Sequence, residues 1–335
     1  MTRVLLLKLL RDVRWTLLGV GLLVGLFQFL WALITARILG KITPFFVGLA
    51  GLGGLTRENI EKVVFDGPGR VLRTIIGGEG VTLDNAMDML SIGFVHPVMQ
   101  IVFCIWAIGR AAGAIAGEID KGTMELLLAQ PLARARLVWA HFLVDLITIP
   151  ALCLAMWAGC WLGYAAVHPI KVDAPDFDAV RDKPARESPA AALAKQLEGL
   201  ARLLRPTTEA SEAQMRARLE IDPWRLGRGL PAVAALVFAI CGLTMWLSSM
   251  GRYRLRTLTL AIAAVLLMFL VNVLGQMWGP AEWARPLTVF HYFQPQALIK
   301  TGAGAGSLLV LLAVGLAGYG MALWTFVRRD LPAPL

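Results

Sequence analysis

Two ionisable side chains four residues apart, His141 and Asp145, lie inside an apolar run that begins near Leu137. That spacing puts both on one face of a helix. An ionisable group inside a membrane-length segment is a candidate for ion or proton handling by default. The alternative is a local His–Asp pair that reaches toward the nearer surface. More polar chemistry sits just upstream, over 117–136. Glu118 and Asp120 stand where acids suit the positive end of a helix. Lys121 and Glu125 are four apart and can pair. Leu126, Leu127 and Leu128 form an apolar tip, and Pro131 stops the helix before Arg134 and Arg136. Residues 117–131 are therefore expected to form a short amphipathic helix. Such a helix suits a membrane surface or a groove in a partner.

Several chemistries are missing. There is no G-x-x-x-x-G-K-[ST] loop to cradle a nucleotide, no H-E-x-x-H and no G-x-S-x-G. The four cysteines, Cys104, Cys153, Cys160 and Cys241, all fall in apolar runs, where cysteine acts as a small hydrophobe. They show no C-x-x-C and no Cys/His metal spacing. No catalytic residue and no metal ligand is assigned, and the chain is not expected to be an enzyme. A primary transporter with this sequence would need its energy source on another chain.

The elements that position these residues follow from composition. Of 335 residues, 57% are hydrophobic and 16% charged, against about 25% charged in soluble domains. Mean hydropathy is +0.66. The expected class is an all-α integral membrane protein. Six apolar runs are long enough to cross a hydrocarbon core of about 30 Å. They cover roughly 16–36, 89–112, 137–167, 230–250, 257–277 and 307–327. Residues 1–15 alternate Arg3, Lys8, Arg11 and Arg14 with leucines and read as a separate interfacial helix. Gly21 and Gly25 form a small-residue face on the first span, and Gly109, Gly113 and Gly117 form another on the second. Gln28 reads as a packing hydrogen bond, and Arg110 as a side chain that snorkels. The third span is expected to be tilted or broken at Pro150. The organisation expected is therefore 1–15, then 16–167 with an outer loop at 37–88, then a helical insert at 168–228, then 229–335. Residues 278–304, rich in Trp, Tyr, Phe and Pro, read as an aromatic interfacial segment.

Net charge is +9 with an isoelectric point near 9.8. In a soluble protein that balance would suggest nucleic acid. Here the basic residues concentrate on one side of a six-span plan, so no nucleic-acid partner is expected. The stretches 1–15, 110–136, 251–256 and 328–335 hold thirteen basic residues against five acids. The positive-inside rule then puts both termini and the polar stretch in the cytoplasm.

Glu118, Gly122-Thr123, Glu125-Leu126-Leu127, Pro131 and Arg134 together resemble a motif of ABC-2-type transporter permeases. Tyr292 to Pro295 is similar to the aromatic–Pro element before the last helix of that family. The resemblance departs at His141, where the family usually has Lys. It implies that 117–131 is a coupling helix between spans 2 and 3, docked into a separate cytoplasmic ABC ATPase. ATP and Mg would bind that subunit, and no cofactor is expected on this chain. It implies a second permease subunit, identical or not, an export function and a bacterial cytoplasmic membrane. The insert at 168–228 is a candidate site for an extracytoplasmic partner. Two rivals stand beside this reading. One is an ATP-independent membrane scaffold that recruits such a partner. The other is a secondary transporter using Asp145.

Overall fold

The computed structural model describes residues 2–42, 85–129, 133–170 and 217–329. All regular structure among them is helical. Helix α1 spans Thr2–Arg37 and passes into a π-helical turn, Ile38–Ile42. The second span is two helices, α2 (Ala86–Val95) and α3 (Pro97–Ala114). Two short helices follow, α4 (Ala116–Asp120) and α5 (Thr123–Leu128). Then come α6 (Arg134–Val167), α7 (Pro223–Gly227), α8 (Leu230–Met250) and α9 (Arg254–Met277). Two 3₁₀ segments, Gly279–Leu287 and Val289–Tyr292, lead to α10 (Pro295–Lys300) and α11 (Ala305–Arg328). Among the described residues, six stretches are long and apolar enough to cross a bilayer, as the sequence predicts, and the chain is a multi-pass membrane protein.

One local expectation is corrected, and two prolines differ in their effect. The basic N-terminal segment is not a helix separate from the first span, because α1 runs through Trp15 without a break. No glycine or proline lies between Thr2 and Leu18 to interrupt it. The second span breaks at His96, which Pro97 pushes out of the α conformation to ψ 133°. Pro97 then occupies the first turn of α3, where its missing donor costs nothing, and His96 Nδ1 accepts from Val98 N at 3.3 Å. By contrast, α6 stays helical through Pro150. Positions 43–84 of the outer loop, the helices expected in the insert up to 216, and Pro131 lie outside the described residues.

The chain divides into two compact units. One comprises Met1–Phe27, Phe94–Gly159 and Arg225–Leu335. At its centre is α8, buried on nearly every face, from Ala232 to Ser249, as expected of a helix apolar all round. Gly242 of α8 lies directly on Gly315 and Gly318 of α11. A Cβ at Gly242 would come 2.9 Å from Gly315 Cα, and one at Gly318 would come 2.8 Å from Leu243 N. The two backbones touch, the geometry that small residues permit in membranes. Gly25 of α1 packs on α6 in the same way, where a Cβ would meet the Ala155 carbonyl at 3.0 Å. The small-residue face predicted at Gly21 and Gly25 is thus used.

The other unit comprises Gln28–Gly93 and Cys160–Trp224. There Gln28 Nε2 donates to the Gly93 carbonyl at 2.9 Å, and Trp31 Nε1 donates to the Met89 carbonyl at 2.9 Å. Gln28 is therefore the packing hydrogen bond its sequence context predicts.

Candidate functional site

The polar stretch folds as a corner, not as one helix. Backbone bonds from Lys121 N to Gly117 O (3.2 Å) and Gly122 N to Ile119 O (3.0 Å) close α4. Gly122 has φ +70° and ψ 4°, the left-handed conformation that ends helices and that only glycine adopts freely. Thr123 then starts α5, and its Oγ1 donates to Glu118 Oε2 at 2.5 Å. Glu118, Gly122 and Thr123 are thereby one structural unit, the acid and the hydroxyl bracing the turn that the glycine makes. Lys121 and Glu125 form no ion pair, because the left-handed residue between them removes the helical spacing. Met124 is buried, while Glu125 is exposed and Leu126 is 71% exposed. The side chains of Leu127 and Leu128 are outside the description.

Two ties fasten this corner to the spans, and a third joins the helix ends beside it. At the α3–α4 break, Ser248 Oγ of α8 accepts from Ile115 N (3.2 Å) and Ala116 N (3.0 Å) and donates to the Ala112 carbonyl (3.1 Å). One hydroxyl thus satisfies the backbone groups that the break would leave unpaired. Arg254 of α9 lies across Gly113 and Gly117, at 3.6 and 3.4 Å from the Cβ positions there, and its N–H meets Asp120 Oδ2 at 3.4 Å. Of the glycine repeat, 113 and 117 therefore seat the Arg254 side chain, while nothing lies within 4 Å of a Cβ at Gly109. Finally, Arg329 Nη1 donates to the carbonyls of Ser249 (2.8 Å) and Gly251 (2.9 Å), capping α8 with positive charge. The Arg329 carbonyl accepts from Arg134 Nη1. Burial and the nearby Arg252 lower the Arg329 pKa, yet an arginine remains charged. Arg134 thus joins the start of α6 to the end of α11.

Deeper in the same unit, Asp145 does not pair with His141. Arg110 of α3 donates from Nε and Nη2 to the two Asp145 carboxylate oxygens, and the Tyr319 hydroxyl of α11 donates to Oδ2. Arg110 Nη2 also reaches the His141 carbonyl at 2.9 Å. The Arg110 side chain is 7% exposed and that of Asp145 is fully buried. Arg110 therefore does not snorkel, and counts with the spans instead of the loops on that side. The surplus of basic residues on that side falls by one and keeps its direction. Phe142 and Phe238 enclose the Tyr319 ring, with centroids at 5.2 and 5.4 Å. Cys241 Sγ of α8 completes the surround at 3.8 Å from Asp145 Oδ1.

This cluster binds α3, α6 and α11 to one another. Both carboxylate oxygens are engaged by a bidentate guanidinium and a hydroxyl, the strongest arrangement available to a buried acid. Sequence reasoning missed Tyr319, Ser248, Arg254 and Arg329, and misjudged Arg110. A signal existed for the last: Arg110 and Asp145 are opposite charges within apolar runs, and each needs a partner there. Beside α3, a cavity of about 350 Å³ opens toward α9, lined by Ile101, Cys104, Ile105, Leu266 and Phe269.

The family model described as ABC-2 family transporter protein matches residues 56–331. The chain belongs to the ABC-2 transporter family. It is a permease, a membrane-embedded transport subunit, and the match covers five of its six spans and the whole corner. No curated protein and no solved structure matches this permease at a significant level.

Proposed function

We propose that this permease is the membrane half of an ATP-driven exporter, powered by a separate cytoplasmic ABC ATPase at which ATP and Mg bind. The α4–Gly122–α5 corner is the element the ATPase pushes. The observation that carries this reading is the corner itself. It presents Leu126 outward, and ties at Ser248 and Arg254 join it to α8 and α9. An exposed leucine on a braced turn serves a partner's apolar groove, and rigid ties let a push there reach the spans. The motif residues Glu118, Gly122 and Thr123 build the brace, Glu125 and Leu126 lie on the exposed docking side, and the family resemblance assigns Leu127, Leu128, Pro131 and Arg134 to the same coupling role. In this reading both termini face the cytoplasm of a bacterium. Two permease subunits flank the transport path, and 168–228 faces outward, where a partner can meet it.

His141 and Asp145 act as anchors rather than as a proton site, since the carboxylate is enclosed by Arg110 and Tyr319. The test is to search the neighbouring genes for an ABC ATPase and to co-purify the permease with it, followed by ATP-driven transport in vesicles. Leu126→Glu is expected to lower retention of the ATPase by about tenfold, the loss of one buried apolar anchor. Unchanged retention and transport would remove the corner from the coupling path.

A further inference from the structure

After α9 ends at Met277, the chain turns back along that helix through the two 3₁₀ segments. It touches α9 twice. The Arg285 stem lies on Gly275, where a Cβ would come 3.0 Å from Arg285 Cδ and 3.0 Å from the Ala281 carbonyl. The Phe290 ring meets Phe269 edge-on, with centroids 5.4 Å apart. Asn272 lies between these contacts, one turn from each and on the same helical face. It is 7% exposed, and its Oδ1 has no hydrogen-bond partner. Arg285 Nε and His291 Nδ1, on the returning segment, are likewise buried without partners.

Three unpartnered polar groups in one fold-back call for a missing occupant. Their chemistry says which kind. Arg285 is a permanent cation. It lies near enough to His291 to lower its pKa, after burial as the larger cause. The one acid between Arg254 and Arg329 is Glu282, which is exposed and makes no ion pair with Arg285. The facing helices add no charge: 257–277 of α9 and 305–327 of α11 contain none. Trp278 and Trp283, 58% and 75% exposed at the same end, mark a membrane–water boundary, the depth of lipid phosphates.

We propose that Asn272, Arg285 and His291 form a binding site for a phosphate group, that of a lipid headgroup or of a soluble phosphate. Arg285 supplies charge-assisted donors and His291 adds one when protonated, while Asn272 Oδ1 accepts from a hydroxyl of the headgroup or of hydrogen phosphate. The site does not depend on the ATP-driven reading.

The test uses the full chain in detergent micelles, with three probes: dioleoyl phosphatidylglycerol, dioleoylglycerol and inorganic phosphate. Native mass spectrometry reads lipid retention, and ¹⁵N NMR follows the His291 titration. Retention of phosphatidylglycerol is expected to fall by about tenfold in Arg285→Gln, as for loss of a charged hydrogen bond. Arg285→Lys should retain part of it, and dioleoylglycerol should not discriminate among the three proteins. The occupant's negative charge should raise the His291 pKa. A rise with phosphatidylglycerol alone assigns the lipid headgroup, and a rise with inorganic phosphate assigns a soluble source. Equal retention by the unaltered chain and Arg285→Gln overturns the proposal. So does a His291 titration that neither phosphate probe moves, which would leave water as the occupant. That titration needs no variant, so it decides even if Arg285→Gln fails to fold.

Discussion

At the scale of single residues, the Arg110–Asp145–Tyr319 cluster makes an ordered set of predictions. Asp145→Asn or Arg110→Met leaves one buried group without its partner and should cost about 3–5 kcal/mol. Tyr319→Phe removes one bond to a charge and should cost about 1.5–3 kcal/mol. Arg110→Met combined with Asp145→Leu should be milder than either single change, because no orphaned charge remains. Unfolding in mixed micelles measures all four, and additive losses would deny the coupling. His291 makes a prediction about pH. Burial and Arg285 hold its pKa below the ordinary 6.5, so the unfolded chain binds its proton more readily than the folded one. Its contribution is complete above pH 6.5 and is lost as pH falls through the lower folded value. Stability should therefore drop on acidification, and His291→Gln should reduce that slope. A slope identical in both proteins would refute the assignment. The sequence reveals that Asp145 needs a partner but not which one. His141 is a helical neighbour by spacing, whereas Arg110 is 35 positions away and Tyr319 is 174 away. Only tertiary packing brings them together.

At the scale of elements, the corner between α4 and α5 turns on one backbone conformation. Nothing lies within 4 Å of a Cβ at Gly122, so space does not demand glycine there; the positive φ does. Gly122→Ala should cost about 1–2 kcal/mol locally, enough to unwind the brace while the spans insert normally. ATPase stimulation by the permease is the measurement, and full stimulation by Gly122→Ala would show that the turn's shape is not used. Thr123→Val, which loses the bond to Glu118, should show a smaller version of the same defect. The motif residues were legible in the sequence, but the break was not. Amphipathic spacing over 117–131 fits one helix, and Gly122 inside it reads as a tolerated weak point until its φ is known. The glycine repeat at 109, 113 and 117 misled for a related reason: small residues mark a close approach without saying by what.

For the whole molecule, hydropathy was a sufficient guide to six crossings, since a 20-residue apolar run has few other uses. Which helices touch was less visible. The contact between α8 and α11 depends on Gly242, Gly315 and Gly318, three glycines in runs full of small residues. Gly242→Leu should force α8 and α11 apart and displace Tyr319 from Asp145, a severe loss of several kcal/mol or about the upper range for overpacking. A cysteine pair placed across the two helices would report it by losing its crosslink. Unaltered crosslinking would mean that the backbones are not in contact.

The continuous α1 has a consequence of length. Its 36 residues rise about 54 Å, against a hydrocarbon core of about 30 Å. Even a steep tilt of about 40° would absorb only some 26 residues. About ten must therefore stand clear of the oil, and the end bearing Arg3, Lys8, Arg11 and Arg14 is the one built for water. The first helix is then a post rather than a float. Amines such as Lys8 should be open to membrane-impermeant reagents in sealed vesicles of the correct orientation, and depth-sensitive quenchers in the lipid should miss that end.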